Sequence, residues 1–265
     1  MSASRMDRPG FAVSNNGRMR VTVVGCAGSF PSADSAASCY LLEAEGFRLV
    51  IDMGNGAFGS LQKYAPLFGI DAICLSHLHG DHCVDLGAYA VARHYYGPDG
   101  PLPTIPVYAP AGAPERLAPA FGLVADELIE RFIFERLAPG SFEIGPFAVT
   151  TAHVNHTVET FGFRVSHNGW TMAYSADTGE SAALVELARD ANLLLAEASF
   201  LDQPGNPVGV HLSARQAGEH AAKAGAGHLA LTHLVVTNDA EASRAEAASA
   251  FGGRLTLAAP GESYG

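Results

Sequence analysis

The chain reads as an α/β protein in which two sheets pack face to face with helices on the outside. Three observations predict this. Its 265 residues, 48% of them hydrophobic, are enough for one large core. Short apolar segments of strand type, broken by Gly, recur along its length. Each half runs strands first and helices afterwards, an order that buries two sheets against each other and covers their outer faces.

Arg20–Val24, Cys39–Glu43 and Arg48–Asp52 hold β-branched or alternating apolar residues, which predicts three early strands. Leu61–Phe68 reads as a short helix and Ala72–Leu75 as a buried strand. Leu86–Tyr95 reads as a helix, followed by a Pro/Gly loop over residues 97–103. Pro106–Tyr108 is a further strand, and Pro114–Phe121 a short helix opened by its proline. Strands Phe142–Ile144, Ala148–Ala152, Gly162–Ser166 and Thr171–Tyr174 come next. From there helices Ser181–Arg189, Ser213–Ala224 and Asp239–Ala250 alternate with strands Leu193–Ala196, Leu229–Thr232 and Leu255–Ala258. Ser213 and Gln216 fit a capping box, and Gly225 sits where a C-cap belongs. No solenoid-length repeat or dividing linker is visible. Residues 19–265 therefore read as one domain, behind a polar extension over residues 1–18 that is expected to be poorly ordered.

Composition excludes several function classes. The net charge is −11, with only Lys63 and Lys223 as lysines, so the basic field that grips long nucleic acid is missing. No run of 18 apolar residues exists to span a membrane, and residues 1–18 lack an apolar signal core. A cytoplasmic location is the expectation. Cys26, Cys39, Cys74 and Cys83 form no C-x-x-C pair and read as reduced, partly buried residues. Cys83 follows His82, yet reads first as a small packing residue.

Chemistry concentrates in Ser76-His77-Leu78-His79-Gly80-Asp81-His82, directly behind an apolar strand. Imidazole and carboxylate together bind borderline divalent metals. A strand would deliver His77 and His79 to one side. A turn through Gly80 would then aim Asp81 and His82 at a second ion. Two ions need more donors, and His153, His156, Asp177 and His233 each sit where a strand ends in a polar turn.

His77-x-His79-x-Asp81-His82, followed by a single His, a single Asp and a final His, resembles the metallo-β-lactamase superfamily. The resemblance covers nearly the whole chain from Met19 and implies a four-layer αββα sandwich with a binuclear site at one edge of the sheets. His156-Thr-Val-Glu-Thr-Phe-Gly162-Phe-Arg164-Val165 is similar to the His-x5-Gly-aromatic-Arg pattern of the ribonuclease Z-like phosphodiesterases, and selects His156 over His153. Glu197-Ala-Ser-Phe200 and His211 resemble further elements of that branch. Val23-Val-Gly-Cys-Ala-Gly-Ser29 and Leu75–Cys83 are similar to small actinobacterial and bacillar members, some associated with cyclic AMP hydrolysis. Ribonuclease Z itself carries a long arm for tRNA between the third His and the bridging Asp. Here only 20 residues separate His156 from Asp177, with a turn at Asn168-Gly169, so pre-tRNA is not the expected substrate.

The resemblance implies that His77, His79 and His156 hold one ion, that Asp81, His82 and His233 hold the other, and that Asp177 bridges them. Zinc is the first choice of metal; manganese or iron suits the same donors. A hydroxide shared by ions about 3.5–4 Å apart would attack a small phosphodiester in line, a cyclic nucleotide being the favoured substrate. Asp81, His211 and Glu197 carry the catalytic roles: Asp81 takes a proton, His211 steadies a phosphoryl oxygen or protonates the leaving alkoxide, and Glu197 accepts the outer N–H of a metal-bound imidazole. Asp52 divides evenly between a carboxylate orienting a metal-bound imidazole and an ordinary turn carboxylate. Arg93 and His94 are weaker candidates for a substrate phosphate. Glu159 is another weak candidate, and Arg164 reads as an outward-facing, solvated guanidinium. His220 and Lys223 read as surface residues of their helix. The family also suggests a homodimer. Two other readings stand beside this one: a carbonyl hydrolase of the same fold acting on a lactone, thioester or β-lactam, and a metal-binding sensor without catalysis.

Overall fold

The computed structural model describes residues 17–265. The extension expected over residues 1–18 lies, apart from Gly17 and Arg18, outside the described residues. In the first half, strands β1 (Arg20–Ala27), β2 (Ala36–Ala37), β3 (Cys39–Ala44), β4 (Phe47–Ile51), β5 (Ala72–Cys74), β6 (Ile105–Ala109) and β7 (Phe132–Arg136) build one sheet. The second half supplies β8 (Gly140–Ile144), β9 (Phe147–His153), β10 (Phe161–His167), β11 (Trp170–Tyr174), β12 (Leu193–Glu197), β13 (His228–Thr232) and β14 (Arg254–Leu257). The last strand, β15 (Ser263–Tyr264), returns to the first sheet beside β1. Each sheet is antiparallel at its start and parallel afterwards: β4 to β7 run parallel in one, β11 to β14 in the other.

The alternation of side chains across these strands creates the layers. Val21, Val23, Leu49 and Ile51 point inward and meet Phe161, Phe163, Leu193 and Leu195 between the sheets. Leu41, Val50 and Ile73 point outward, under α1 (Ala57–Leu61), α3 (Asp85–Tyr95), α4 (Ala113–Leu117) and α5 (Ala125–Ile129), reached after the short α2 (Gly80–Cys83). Leu194, Leu229 and Leu231 face α6 (Ala182–Leu187), α7 (Ala214–Ala224) and α8 (Ala240–Ala250). The result is the four-layer αββα sandwich. The inner parallel strands β5 and β12, buried along their whole length, read as apolar runs for this reason. No helix among the described residues is long and apolar enough to cross a membrane.

Some local expectations shift. The helix expected over Leu61–Phe68 lies earlier, at Ala57–Leu61, and residues 62–68 turn. Pro66 has no N–H and disfavours a helical Ala65, which stops propagation there. Pro114–Phe121 divides into α4 and a 3-10 turn at Ala118–Phe121 opened around Pro119. β10 and β11 join through Asn168 and Gly169 at φ 46° and 74°, the two positive values a tight hairpin needs.

Candidate metal centre

β5, β9, β11, β12 and β13 all end at the same edge of the sandwich, and the loops beyond them converge. β5 stops at Cys74, so His77 and His79 ride on a loop and not on the strand, as the alternation argument had it. α2 then begins at Gly80 and carries Asp81 and His82 in its single turn. Gly54 permits this loop to close in, since a Cβ there would lie 1.9 Å from the Asp81 carbonyl.

Two clusters form. In the first, His79 Nδ1 lies 3.1 Å from both His77 Nε2 and His156 Nε2. Asp177 Oδ2 is 3.8 Å from His77 Nε2 and 4.0 Å from His156 Nε2. In the second, Asp177 Oδ1 is 3.1 Å from His82 Nε2 and 3.4 Å from His233 Nε2. Asp81 Oδ2 completes it, 3.1 Å from His233 Nε2 and 3.5 Å from His82 Nε2. Tetrahedral bonds of about 2.0–2.1 Å to zinc put neighbouring donor atoms about 3.3 Å apart, close to these spacings.

The rings are aimed from behind. His156 Nδ1–H donates to the Val210 carbonyl at 2.7 Å, and His82 Nδ1–H to Asp52 Oδ2 at 2.7 Å. Ser76 Oγ gives its proton to Asp52 and so accepts from His77 Nδ1–H at 3.0 Å. Ser199 Oγ gives its proton to Glu197 and accepts from His233 Nδ1–H at 2.8 Å. Each ring therefore presents a bare Nε2 to the centre. Bare nitrogens and carboxylate oxygens at such spacing repel unless positive charge lies among them. Asp177 Oδ1 is buried and has no hydrogen-bond partner, which points the same way. These His/Asp clusters suit metal ions.

Electrostatics agree. Burial pushes the Asp177 carboxyl up, but the His233, His82 and His77 rings outweigh it and hold it well below the usual carboxylate range. Burial also lowers His77, keeping its imidazole in the neutral form that ligates. His82 is raised well above the ordinary value despite its burial, because Asp177 and Asp52 both face it. The carboxylates demand positive charge at this point.

Asp52 fills both roles weighed for it. It orients His82, and it also accepts from the Ser76 N–H at 2.7 Å and the Tyr174 hydroxyl at 2.8 Å. It is fully buried at a φ of 61°, strained backbone of the kind that persists at functional sites. Glu197 is held by the Thr178 and Ser199 amides and receives His211 Nδ1–H at 2.7 Å. His211 thus stands beside both clusters, its Nδ1 3.9 Å from Asp177 Oδ2.

Other candidates fall outside. His153 is exposed and lies against Phe161. Burial pushes the Cys83 thiol up to about 12, and it donates to the His79 carbonyl at 3.0 Å. Arg93 is buried against the Pro103 carbonyl and the Tyr89 ring. His94 packs edge-on against Tyr95, and Glu159 accepts from the Ala111 N–H at 3.3 Å. Arg164 is half-buried, with its guanidinium engaged: it donates to the Leu187 and Arg189 carbonyls at 2.7 and 2.8 Å, closing the end of α6. His220, expected on the surface, is buried. Its Nδ1–H donates to the Gln216 carbonyl and its Nε2 accepts from the Ser181 N–H, which ties α7 to the start of α6. Lys223 is exposed, as expected. The supporting groups Ser76, Tyr174, Ser199 and the Val210 carbonyl are new. Of these, Ser76 and Ser199 lay inside motifs already singled out, though neither was given a role there.

The family model described as "Beta-lactamase superfamily domain" matches residues 48–234. Rv1339 of Mycobacterium tuberculosis is 39% identical over 241 residues, 89% of this chain and 88% of that protein. The Bacillus subtilis protein named "Probable metallo-hydrolase YhfI" is 32% identical over 252 residues, 92% of this chain and 98% of its own. The crystal structure of YhfI superposes with a TM-score of 0.82 at 31% identity, covering 93% of this chain and 98% of that one. Ribonuclease Z of Mycobacterium avium is 30% identical over 271 residues, 90% of this chain and 95% of its own.

Proposed function

Since the chain belongs to the β-lactamase superfamily, we propose that this metallo-hydrolase cleaves a small phosphodiester, with a cyclic nucleotide as the favoured substrate. The observation that carries the reading is Asp177, whose two oxygens each face a separate nitrogen-rich cluster. His77, His79 and His156 would hold one divalent ion, and Asp81, His82 and His233 the other, with Asp177 shared. Such ions supply a nucleophile at neutral pH and neutralise charge on phosphoryl oxygens.

The chain's own groups do the rest. Asp52, Ser76, Ser199 and the Val210 carbonyl fix the aim of four imidazoles. Asp81 accepts a proton at its carboxylate. His211, tied through Nδ1 to Glu197, keeps Nε2 for the substrate, where it steadies a phosphoryl oxygen or protonates the leaving alkoxide. The direct β10–β11 hairpin occupies the interval between His156 and Asp177, and that compactness favours a small substrate over pre-tRNA.

Protein loaded with zinc or manganese and offered 3′,5′-cyclic AMP, 2′,3′-cyclic nucleotides, an aryl phosphodiester, a pre-tRNA and a cephalosporin is expected to turn over a small phosphodiester best. Fastest turnover of the cephalosporin would overturn the reading in favour of a carbonyl hydrolase.

A further inference from the structure

Ten large apolar side chains are markedly exposed among the described residues. Five of them (Tyr95, Tyr96, Val124, Ile129 and Ile133) belong to the α3–α5–β7 side, none within ten positions of a metal-site donor. Four others lie on loops that carry or adjoin residues of the metal centre. Phe30 is 45% exposed and Val236 57%; Val158 is 41% exposed and Val208 98%. Single exposed apolar residues are ordinary, so their number means little. Their attachment means more.

Phe30 and Val236 leave one backbone bridge together. Ala27 and Leu234 pair in parallel, and the Gly28 N–H donates to the Leu234 carbonyl at 3.0 Å. Gly28 has no room for a side chain, since a Cβ would lie 2.3 Å from the His233 carbonyl. Ser29, at a φ of 62°, directs its N–H to within 3.3 Å of His233 Nε2, the atom facing the second cluster. Phe30 is the next residue. On the opposite side Val158 follows His156 by two positions, and Val208 precedes by two the carbonyl that orients His156. The four thus fall in two pairs by attachment, one on the His233 loops and one on the His156 loops. Phe30 is the one aromatic among them.

A phosphodiester brings two unlike parts to such a site: a charged phosphoryl group for the cations and an organic part for the loops around them. We propose that Phe30 determines specificity by stacking on the base of a nucleotide phosphodiester, with Val236 at its edge and Val158 and Val208 closing the far side. This rests on the phosphodiesterase reading above. Every base offers a flat π-face, and stacking on an aromatic side chain is the common way to hold one.

The test compares two ligands that differ only by the base, adenosine 5′-monophosphate and ribose 5-phosphate, titrated calorimetrically into the metal-loaded protein. The wild type is expected to bind the nucleotide about tenfold or more tightly than the sugar phosphate, the scale of one base–aromatic stack. Phe30→Ala and Phe30→Leu should bring the two affinities within about threefold, and Phe30→Trp should restore the preference. Metal content, measured alongside, reports whether a variant disturbs the clusters. A wild type indifferent to the base, or variants that weaken both ligands equally, would overturn the inference. Failure to hydrolyse any of the phosphodiesters named above while the base preference still depends on Phe30 would instead sink the phosphodiesterase reading and leave the binding role standing.

Discussion

His211 sits where opposing effects on one imidazole can be ranked. Burial disfavours its charged form, but Glu197, Asp177 and Asp81 outweigh that and raise its pKa. Glu197 in turn is fixed by two backbone amides, so His211 is held in one orientation beside the clusters without belonging to either four-residue group. His211→Ala should therefore retain the metal content of the wild type and slow phosphodiester cleavage by about tenfold or more. Unchanged turnover would remove His211 from the mechanism. The gathering of His77, His79, Asp81, His82, His156, Asp177 and His233 was legible in part because donor-type side chains are rare behind apolar strands, but only the family pattern separated His156 from His153. The groups that aim them were not. Ser76, Tyr174 and the Val210 carbonyl carry no residue-type signature, and Val210 meets His156 across 54 positions of sequence.

Helices α7 and α8 show what fixes an element's place. Ser213 and Gln216 cap α7 reciprocally at 3.2 and 2.9 Å, and Gly225 ends it at a φ of 67°, as local pattern indicated. Local pattern says nothing about the neighbour. At Gly218 a Cβ would stand 2.6 Å from the Ala247 carbonyl of α8, so this glycine sets how closely the helices approach. Gly218→Val must push α8 away, and the overpacking should cost about 1–3 kcal/mol in urea unfolding, with metal content unaltered. A variant as stable as the wild type would show that α8 moves freely. The same limit explains His220, whose burial depends on the Ser181 N–H 39 positions away. It also explains α5 and β7: Phe132–Arg136 is a five-residue run next to a helical pattern, and only pairing with β6 makes it a strand. Helix α1 was misplaced for a local reason, the proline at 66.

The whole molecule is held together unevenly at its two ends. Between the sheets the contacts are apolar, yet at the site edge three carboxylates, Asp52, Asp177 and Glu197, are buried within a few residues of strand ends. Asp52, His77, His79, Asp81 and His82 follow strands of the first sheet; His156, Asp177 and His233 follow strands of the second. Cations bound there would cross-link the two halves of the sandwich and offset charge that the chain alone brings together at a cost. Ligand that binds only the folded state stabilises by about 4 kcal/mol when present at a thousand times its Kd. Treating the protein with a chelator should accordingly lower its unfolding temperature by several degrees, and zinc should restore it. Asp177→Ala tests whether that linkage runs through the shared carboxylate. The variant should bind fewer ions per chain, and its response to the chelator should shrink to less than half that of the wild type. A variant that still holds two tight ions and shows the full chelator-induced drop would mean that the two clusters act independently, and the bridging role of Asp177 would have to be abandoned.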